Sequence, residues 1–414
     1  TDGAVIQAKY EIGTFKDITY DVSYVYNFSK PGKTNVFVKY NINGVTLKDA
    51  FNVTIKEAPF DGNGTENNPY LISSKEDLKM MRDLINNEDS SAAFRNCTYL
   101  QTIDIDLENE KWTPIGKRDF DEVATERLFA GHYNGNCHTT SGLYVNETTK
   151  YAGLFGSTGT EPAIIENLAV EGTVSSTDIS VGGICGEICG KNGIIRNCSF
   201  IGNVSGGEQA VGGVVGYIWQ SGSVIDCYHN GTVISNGGRI IGGVVGNIHT
   251  GGSEDSNTVL IQNCYHVGTL SSDAAGTIAG IVSVDTQHES SITIENCYAL
   301  QGEGNAIGSG KANTQDIIFL KPALMKSAAS SLGTLYKKNT DDSFNSGYPI
   351  HTWQNSVVGD CNNDGKFTIA DIVMLQKWLL NDGIKLVNWN AADLYEDGRI
   401  NALDLSLMKQ KLIL

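Results

Sequence analysis

Residues 210–233, "AVGGVVGYIWQSGSVIDCYHNGTV", give the clearest indication of the architecture. This stretch contains three markers in a fixed order: a glycine pair followed by two apolar residues, the tetrapeptide VIDC, and the tripeptide GTV. The glycine marker recurs as GLFG (153–156), GGICG (182–186), GGVVG (212–216), GGVVG (242–246) and AGIVS (279–283), and the tetrapeptide as IENL (165–168), IRNC (195–198), VIDC (224–227), IQNC (261–264) and IENC (294–297). Gly153, Gly183, Gly213 and Gly243 are 30 residues apart, and the step to Gly280 is 37 because a polar insertion lies at 253–259. The middle of the chain is therefore an internal repeat.

Repeats of this length cannot each hold a hydrophobic core, so neighbouring repeats must stack on one another. They are rich in glycine and β-branched residues without a helical period, which predicts coils of short strands. We expect a parallel β-solenoid in which the cysteine and the apolar residue three positions before it point inward. The residue just before the cysteine favours a left-handed corner, where its amide can bond to the next coil. It is Asn167, Asn197, Asn263 and Asn296, with Asp226 as a local exception.

The composition limits the classes of function. The 414-residue chain has 47 glycines but only 7 prolines, and its net charge of −17 makes nucleic acid and an anionic membrane poor partners. No run of 18 apolar residues is present, so no membrane span is predicted. The beginning, TDGAVIQAKY, lacks the features of a signal peptide and predicts a mature or excised fragment. The four repeat cysteines are expected to be free buried thiols rather than a disulfide ladder or a metal site: Cys198, Cys227, Cys264 and Cys297.

The flanks of the repeat region differ from it. Residues 1–58 alternate apolar and polar side chains, which predicts a small antiparallel, sandwich-like β domain, and VFVKYNINGVTLKDAFNVTI resembles the later strands of bacterial Ig-like modules. Ser74 and Asp77 fit a capping box that opens a helix near 75–86. Residues 318–332 predict a helix, with Pro322 near its start and Gly333 as its C-cap, over the open end of the solenoid. The expected domains are 1–58, 59–353, a linker at 354–358, and 359–414.

Two acidic loops near the C-terminus have the spacing of EF-hand calcium loops. Numbered from Asp360, DCNNDGKFTIAD has oxygen-bearing side chains at positions 1, 3, 5, 9 and 12, glycine at 6, and a lysine at 7 that would offer its carbonyl. Numbered from Asp393, DLYEDGRINALD repeats this pattern except at position 3, where Tyr395 is a poor ligand. We therefore expect two calcium ions, the second held more weakly. The predicted ligands are Asp360, Asn362, Asp364, Lys366, Thr368, Asp371, Asp393, Asp397, Arg399, Asn401 and Asp404.

The repeats resemble the GLUG-motif repeats of bacterial secreted proteins. The preceding coil, FAGHYNGNCHTTSGLYV (129–145), and the tail NSGYPIHTW (345–353) are similar to segments that flank such repeats. The resemblance spans about 60–353 and implies a right-handed parallel β-helix, but it implies no particular chemistry.

The C-terminal segment resembles the type I dockerin domain. It has two loop–helix units about 33 residues apart, with GDCNNDG at 359–365, NAADLYEDGRIN at 390–401, and apolar helices at 372–380 and 405–413. The resemblance implies a secreted, extracellular protein whose calcium-loaded dockerin binds a cohesin module of a scaffolding protein in a cellulosome-like complex. Packing inside the domain is the alternative for Ile369 and Leu403. The implied cohesin contacts are Ile369, Ala370, Gln376, Lys377, Ala402, Leu403, Lys409 and Gln410.

The repeat columns show no convincing catalytic constellation, so an enzyme is not favoured. The column two positions before the cysteine has no paired acids on neighbouring coils; it reads Glu166, Arg196, Ile225, Gln262 and Glu295. Five rings are candidates for stacking on sugars, with packing as the alternative: Tyr217, Trp219, Tyr228, Tyr265 and Tyr298. We expect a noncatalytic module that binds polysaccharide or a cell surface. A dockerin-borne β-helix polysaccharide lyase or glycoside hydrolase and an adhesin-like structural stalk stay open.

Overall fold

A computed structural model describes residues 7–9, 15–17, 22–25, 32–42, 45–55, 59–118, 127–148, 150–159, 161–206, 210–235, 241–252, 256–272, 275–287, 289–355, 357–362, 366–384, 386, 389–395 and 399–413. The chain divides into two compact units, Thr1–Asp61 and Gly62–Leu414.

The first unit consists of antiparallel strands. One pair is β1 (Gln7–Lys9) with β2 (Phe15–Asp17), and a three-stranded sheet contains β3 (Val22–Val25), β4 (Gly32–Ile42) and β5 (Val45–Ile55). On β4, Val36 and Val38 are buried and Phe37 between them is exposed, as alternation requires. Antiparallel strands were predicted here, and the likeness to Ig modules stays a prediction.

The second unit begins with a strand and two helices that lead into the solenoid. Strand β6 (Tyr70–Ile72) is followed by α1 (Lys75–Asn86) and α2 (Glu88–Phe94). The Ser74 hydroxyl accepts from the backbone N of Asp77 at 3.0 Å, which confirms the predicted N-cap. The Asp77 carboxylate bonds back to the N of Ser73 instead of Ser74, so the box is displaced by one residue. Helix α1 buries Leu78, Met81 and Ile85, which share one face.

The central region is a parallel β-solenoid of about seven turns, which confirms the predicted fold class. Neighbouring coils pair in register over long stretches, for example from Ile164↔Ile194 to Ser176↔Gly206. The strands are β7 (Thr98–Gln101), β8 (Ile105–Asp106), β9 (His132–Glu147), β10 (Tyr151–Ala152), β11 (Phe155–Ser157), β12 (Ile164–Ser176), β13 (Ser180–Gly182), β14 (Cys185–Gly206), β15 (Ala210–Gly212), β16 (Val215–Ile225), β17 (Tyr228–Ile234), β18 (Ile241–Gly242), β19 (Val245–His249), β20 (Thr258–Gln262), β21 (Tyr265–Ser271), β22 (Ala275–Ser283), β23 (Ser291–Glu295), β24 (Tyr298–Leu300), β25 (Asn305–Gly310), β26 (Asn313–Gln315) and β27 (Ile318–Leu320).

The repeated glycine makes room for a ring inside the coil. A Cβ added at this glycine would meet the ring that stands two residues after the cysteine position, so no larger residue fits without a shift. The distance from the added Cβ to the nearest ring atom would be 2.2 Å for Gly183 and Phe200, 2.3 Å for Gly213 and His229, and 2.5 Å for Gly243 and His266.

The corner asparagines form the expected ladder. The corner residues have left-handed backbone, with φ between 48° and 55° at Asn167, Asn197, Asp226, Asn263 and Asn296. Side-chain hydrogen bonds of 2.7 to 3.1 Å, each donated by an asparagine Nδ2, join residues of this column on neighbouring coils, starting at Asn134. The ladder is interrupted between Asn197 and Asp226, and there Trp353 Nε1 donates to Asn197 Oδ1 at 3.3 Å in place of the next corner residue. The prediction of a hydrogen-bonded corner is confirmed, and all nine cysteines are free.

The segment after the last coil corrects one expectation. The single helix predicted over 318–332 is two one-turn helices, α3 (Pro322–Met325) and α4 (Ala329–Leu332). The chain continues through β28 (Tyr336–Lys337), a 3₁₀ turn (Asn345–Gly347) and β29 (Ile350–His351), which pairs with β28. This segment packs on the column of tyrosines along the side of the solenoid and also contacts Ile318 and Leu320 of the last coil. That it covers the open end stays a prediction.

Candidate metal centre and functional surfaces

The C-terminal loops are held by a small core of their own. Helices α5 (Ile369–Leu379), α6 (Trp389–Ala392) and α7 (Ala402–Ile413) follow the solenoid. The core contains Cys361, Ile372, Leu375, Ala392 and Met408. Both loop–helix units contribute to it, so the two loops are fixed relative to each other.

The last aspartate of each loop makes the same contacts. Asp371 accepts from the backbone N of Asn362 at 3.1 Å with one oxygen and from that of Thr368 at 2.8 Å with the other. In the second loop, Asp404 accepts from the N of Tyr395 at 3.0 Å and from that of Asn401 at 2.9 Å. Position 12 thus closes each loop onto positions 3 and 9, which is the curvature that a spherical ion needs.

Three of the loop carboxylates are buried within the domain. Asp360, Asp371 and Asp404 are at most 1% exposed. Among the described residues, Asp371 and Asp404 form no ion pair with a basic side chain. Burial, with the charges of Asp371 and Asp360, raises the pKa of the Cys361 thiol to about 12, so two carboxylates lie near one sulfur. Neighbouring buried carboxylates are costly unless a cation lies between them, and the oxygen-rich donor set fits calcium.

The other predicted ligands are placed as follows. Thr368 Oγ1 and Asn401 Oδ1 accept from Ala370 N at 3.2 Å and Leu403 N at 2.7 Å, which caps α5 and α7. The side chains of Lys366 and Arg399 are exposed, which leaves only their carbonyls as candidate ligands. Asp364 and Asp397 lie outside the described residues. Among the residues that are described, no three Asp, Glu, Cys or His side chains lie close enough together to hold a metal ion.

The two loops differ at position 3. Tyr395 is 57% exposed, and its ring points to solvent instead of into the loop. Asn362 at the equivalent position is half-buried. The second loop therefore has one oxygen side chain fewer than the first.

The residues predicted to contact cohesin all lie on the surface. Ile369 is 69% exposed and Leu403 is 43% exposed, so the alternative that they pack inside the domain is wrong. The other six are also exposed: Ala370, Gln376, Lys377, Ala402, Lys409 and Gln410. Ile369, at position 10 of the first loop, stands at the start of α5, and Leu403, at position 11 of the second, stands within the first turn of α7.

The family comparison agrees with this geometry over the same residues. The sequence model of the type I dockerin domain matches residues 358–413. The C-terminal segment is a type I dockerin domain. Dockerin domains of this type generally bind calcium and attach to cohesin modules of cellulosome-type complexes. The model of the GLUG motif matches residues 207–234, which include the repeat at 210–233.

The chain spans only a small part of the length of the curated relatives it matches. Halomucin from Haloquadratum walsbyi is 30% identical over 161 residues, which cover 32% of this chain and 2% of that protein. A putative Gly-rich membrane protein from Evansella cellulosilytica is 32% identical over 133 residues, covering 30% of this chain and 14% of that protein. A crystal structure of a putative immunoglobulin A1 protease from Bacteroides ovatus aligns with a TM-score of 0.48 and 19% identity, over 72% of this chain and 96% of that one. Within the described residues, no helix has both the length and the apolar character of a membrane span.

Three of the five candidate sugar-binding rings are buried inside the protein. Tyr228 and Tyr265 are fully buried and Tyr298 is 3% exposed, so they cannot stack on a sugar. The rings of Tyr228 and Tyr265 stack at 4.9 Å. They form a core with Met325 and Leu332 of the segment after the last coil, which we call the covering segment. Only the pair Tyr217 and Trp219 stays half-exposed.

A buried ion pair, which the repeat columns did not reveal, lies on the wall directly after the glycine marker GGICG (182–186). Glu187 Oε1 accepts from Arg118 Nη1 at 2.7 Å, and Oε2 accepts from Ser157 Oγ at 2.6 Å. Burial raises the pKa of Glu187, although Arg118, Ser157 and a hydrogen bond from Tyr151 oppose the rise. Arg118 is 69 residues away in sequence and outside the repeat, so only the register Ser157↔Glu187↔Tyr217 could have pointed to this site.

Proposed function

We propose that this chain is a secreted, extracellular component of a cellulosome-type complex. Its dockerin, loaded with two calcium ions, binds a cohesin on a scaffolding protein, and its β-helix is a noncatalytic module that presents a surface to polysaccharide or to a cell. The division into 1–58, 59–353, 354–358 and 359–414 belongs to this proposal. The observation that carries it is the pair of matching loop–helix units, each with a buried Asp at position 12 and an exposed apolar residue beside the loop.

Calcium is the element on which docking depends. In the first loop, Asp360, Asn362, Asp364 and Asp371 would supply side-chain oxygens, and Lys366 its carbonyl. In the second, Asp393, Asp397 and Asp404 would do so, with the carbonyl of Arg399. Thr368 and Asn401 cap helices and would reach the ion through a water, as position 9 often does. When bound, calcium supplies the positive charge that lets the loop carboxylates lie close together, so folding of the dockerin and metal binding are coupled.

The cohesin face would consist of the eight exposed residues on α5 and α7. Its apolar centre is Ile369 together with Leu403, and Gln376, Lys377, Lys409 and Gln410 form a polar rim. An apolar centre within a polar rim is the usual anatomy of a protein interface. Ile and Leu at these positions would favour a cohesin with a complementary apolar pocket.

Capture of the full chain on an immobilised type I cohesin tests the docking role. We expect capture in calcium, loss of capture in EDTA, and recovery when calcium is restored. The double variant Ile369→Asp, Leu403→Asp should weaken binding at least about a hundredfold, because two interface anchors of about 2 kcal/mol each are lost. Leu380→Asp is the matched control, since Leu380 is 72% exposed on the same domain but outside the face. Capture that survives EDTA, or equal effects of the two variants, would refute the proposed face.

A polysaccharide lyase or hydrolase is the second candidate, and one observation favours it. Glu187 is a buried acid with a raised pKa beside a surface cavity, which is a common feature of active sites. Incubation with pectic, xylan and glucan substrates should release no sugars if the module is noncatalytic. Release that Glu187→Gln abolishes would replace the noncatalytic role with this one.

A further inference from the structure

Three rings and an amide lie together on one outer wall of the solenoid. On β16, Tyr217 and Trp219 stand on either side of a fully buried isoleucine, and Asn247 and His249 do the same on β19. Successive residues of a strand face opposite sides, so the four share the outer face. The strands pair in register, Tyr217 with Asn247 and Trp219 with His249, and all four side chains are half-exposed. We refer to these four residues as the ring patch.

The rings of the patch form a continuous strip across two coils. The ring centroids of Tyr217 and Trp219 are 5.9 Å apart, and those of Trp219 and His249 are 4.8 Å apart. The equivalent positions of the coil before and of the coil after carry no ring. Because neighbouring strands lie about 4.8 Å apart, the strip contacts a short stretch of a ligand and not a long chain.

The loop after β19 packs against two of the rings. A Cβ added at Gly252 would lie 2.6 Å from Trp219 Cζ2, and one added at Gly251 would lie 3.0 Å from His249 Cε1. The backbone of this loop therefore passes directly beside both rings, at a distance that larger residues would not allow without a shift. A ring that is already packed on one side loses little side-chain freedom when a ligand covers the other.

Two polar atoms of the ring patch have no hydrogen-bond partner. In the part of the chain that the structure describes, Asn247 Oδ1 and His249 Nδ1 are buried atoms without one. Elsewhere on the wall, polar neighbours satisfy one another, as Gln262 and Glu295 do. The unpaired His351 Nδ1 belongs to a fully buried side chain, whereas Asn247 and His249 are half-exposed. A small rotation would bring either atom to the surface, where a ligand hydroxyl would recover the free energy that an unpaired polar atom costs.

Aromatic faces beside hydrogen-bonding groups are suited to a sugar. The face of an aromatic ring is electron-rich and attracts the C–H groups on the flat side of a pyranose, while the hydroxyls at the edge of the sugar reach polar partners. Rings and an amide select by shape and hydrogen bonding more than by charge, so we expect a neutral ligand. A β-1,4-linked glucan is extended and offers flat faces to a straight wall, whereas an α-1,4-linked glucan coils.

We propose that the ring patch binds a neutral β-1,4-linked oligosaccharide. One sugar would stack on Trp219, whose indole is the largest ring of the three, and the next would extend over His249 on the neighbouring coil. Hydroxyls at the edge of these sugars would bond to Asn247. This deepens, and rests on, the proposed role of the β-helix as a surface for polysaccharide.

Calorimetric titration of the full chain with cellohexaose, in saturating calcium, tests the proposal. Maltohexaose is the matched ligand, because it has the same sugar and the same length with α-1,4 linkages. We expect cellohexaose to bind at least about tenfold more tightly than maltohexaose. The double variant Tyr217→Ala, Trp219→Ala should weaken binding of cellohexaose at least about tenfold, because two stacking contacts are lost.

Three further variants separate the site from the fold. Phe319→Ala removes a ring that is 36% exposed outside the patch and should leave binding unchanged. Trp219→Phe keeps a ring and should lose less affinity than the double variant. Asn247→Ala should weaken binding about threefold or more, since it removes a hydrogen-bonding group. Circular dichroism of the strands checks that each variant is folded, and if the double variant is not, an unchanged affinity in Asn247→Ala would refute the site.

The opposite outcomes overturn the inference. Equal affinities for the two hexaoses would refute selection of an extended β-1,4-linked chain. Binding of cellohexaose that survives both the double variant and Asn247→Ala would refute the patch but support the role of the β-helix as a polysaccharide surface. Absence of binding by a chain that is still captured on cohesin would refute the patch and leave docking intact. Failure of capture would refute the docking proposal alone.

Discussion

The stacked pair His229 and His266 should make the solenoid sensitive to acid. Both imidazoles are buried, their rings stack at 5.0 Å, and their Nδ1 atoms are 3.0 Å apart. His229 Nε2 donates to the carbonyl of Gly202 at 3.0 Å, so its Nδ1 accepts from His266. A further proton on His229 would place two N–H donors face to face, which is unfavourable without water.

The size of the effect follows from the pKa of His229. Burial lowers it from 6.5 to about 4, while hydrogen bonds to Gly202 and Gly243 oppose the fall. Between these values the unfolded chain binds a proton that the native chain does not, so the free energy of unfolding decreases as the pH falls below 6.5. At about 1.4 kcal/mol for each pH unit, the full loss is about 3 kcal/mol, of which about 2 is reached between pH 7 and pH 4.5.

The variant His229→Phe tests this directly. Phe200 already occupies the neighbouring position of the column against Gly183, so a phenyl ring fits the site. Urea unfolding, followed by circular dichroism of the strands in saturating calcium, should show that the variant loses about 2 kcal/mol less than the wild type between pH 7 and pH 4.5. Phe200→Leu is the control, since it perturbs the same column without a titrating group and should lower stability equally at both pH values. Equal pH dependence of His229→Phe and the wild type would refute the reasoning.

Three further predictions concern the metal loop, the corner ladder and the glycine marker. Tyr395→Asn restores an oxygen side chain at position 3 and should tighten the weaker calcium site roughly tenfold in a calorimetric titration; an unchanged dissociation constant would mean that position 3 contributes nothing. Burial raises the pKa of Asp226 more than the hydrogen bond from Asn263 lowers it, so Asp226→Asn should stabilise the chain by about 1 kcal/mol at pH 7. This gain in stability should shrink toward pH 3, where Asp226 itself becomes protonated, and thermal unfolding at the two pH values tests it. Gly213→Ala would place a Cβ 2.2 Å from the Gly243 carbonyl and should cost about 3 kcal/mol; a loss below about 1 kcal/mol in urea unfolding would show that the coil relaxes at no great cost.

The features that could be predicted from sequence are those that repeat with the coil. The Asn ladder followed from one residue per repeat, because equivalent residues of neighbouring coils become register partners at a fixed distance. The loops followed from alternation of oxygen side chains within twelve residues. Burial of Tyr228 and Tyr265 could not be predicted, since the column alone does not show that the chain folds back over it about 60 to 100 residues later. The pair of Arg118 and Glu187 was missed for the same reason, because one partner lies outside the repeat.

The position of the covering segment narrows the surface that can meet a ligand. The tyrosine column on β17, β21 and β24 is closed by α3, α4 and β29, so the same strands cannot present aromatic rings to a sugar. The column of Asn146, Ser175 and Ser205 lies on β9, β12 and the end of β14, which the core cluster of the covering segment does not include. A regular solenoid would otherwise offer similar columns along its whole length. By covering an apolar column with its own chain, this protein buries the tyrosines of β17, β21 and β24, and it leaves Asn146, Ser175 and Ser205 at least partly exposed.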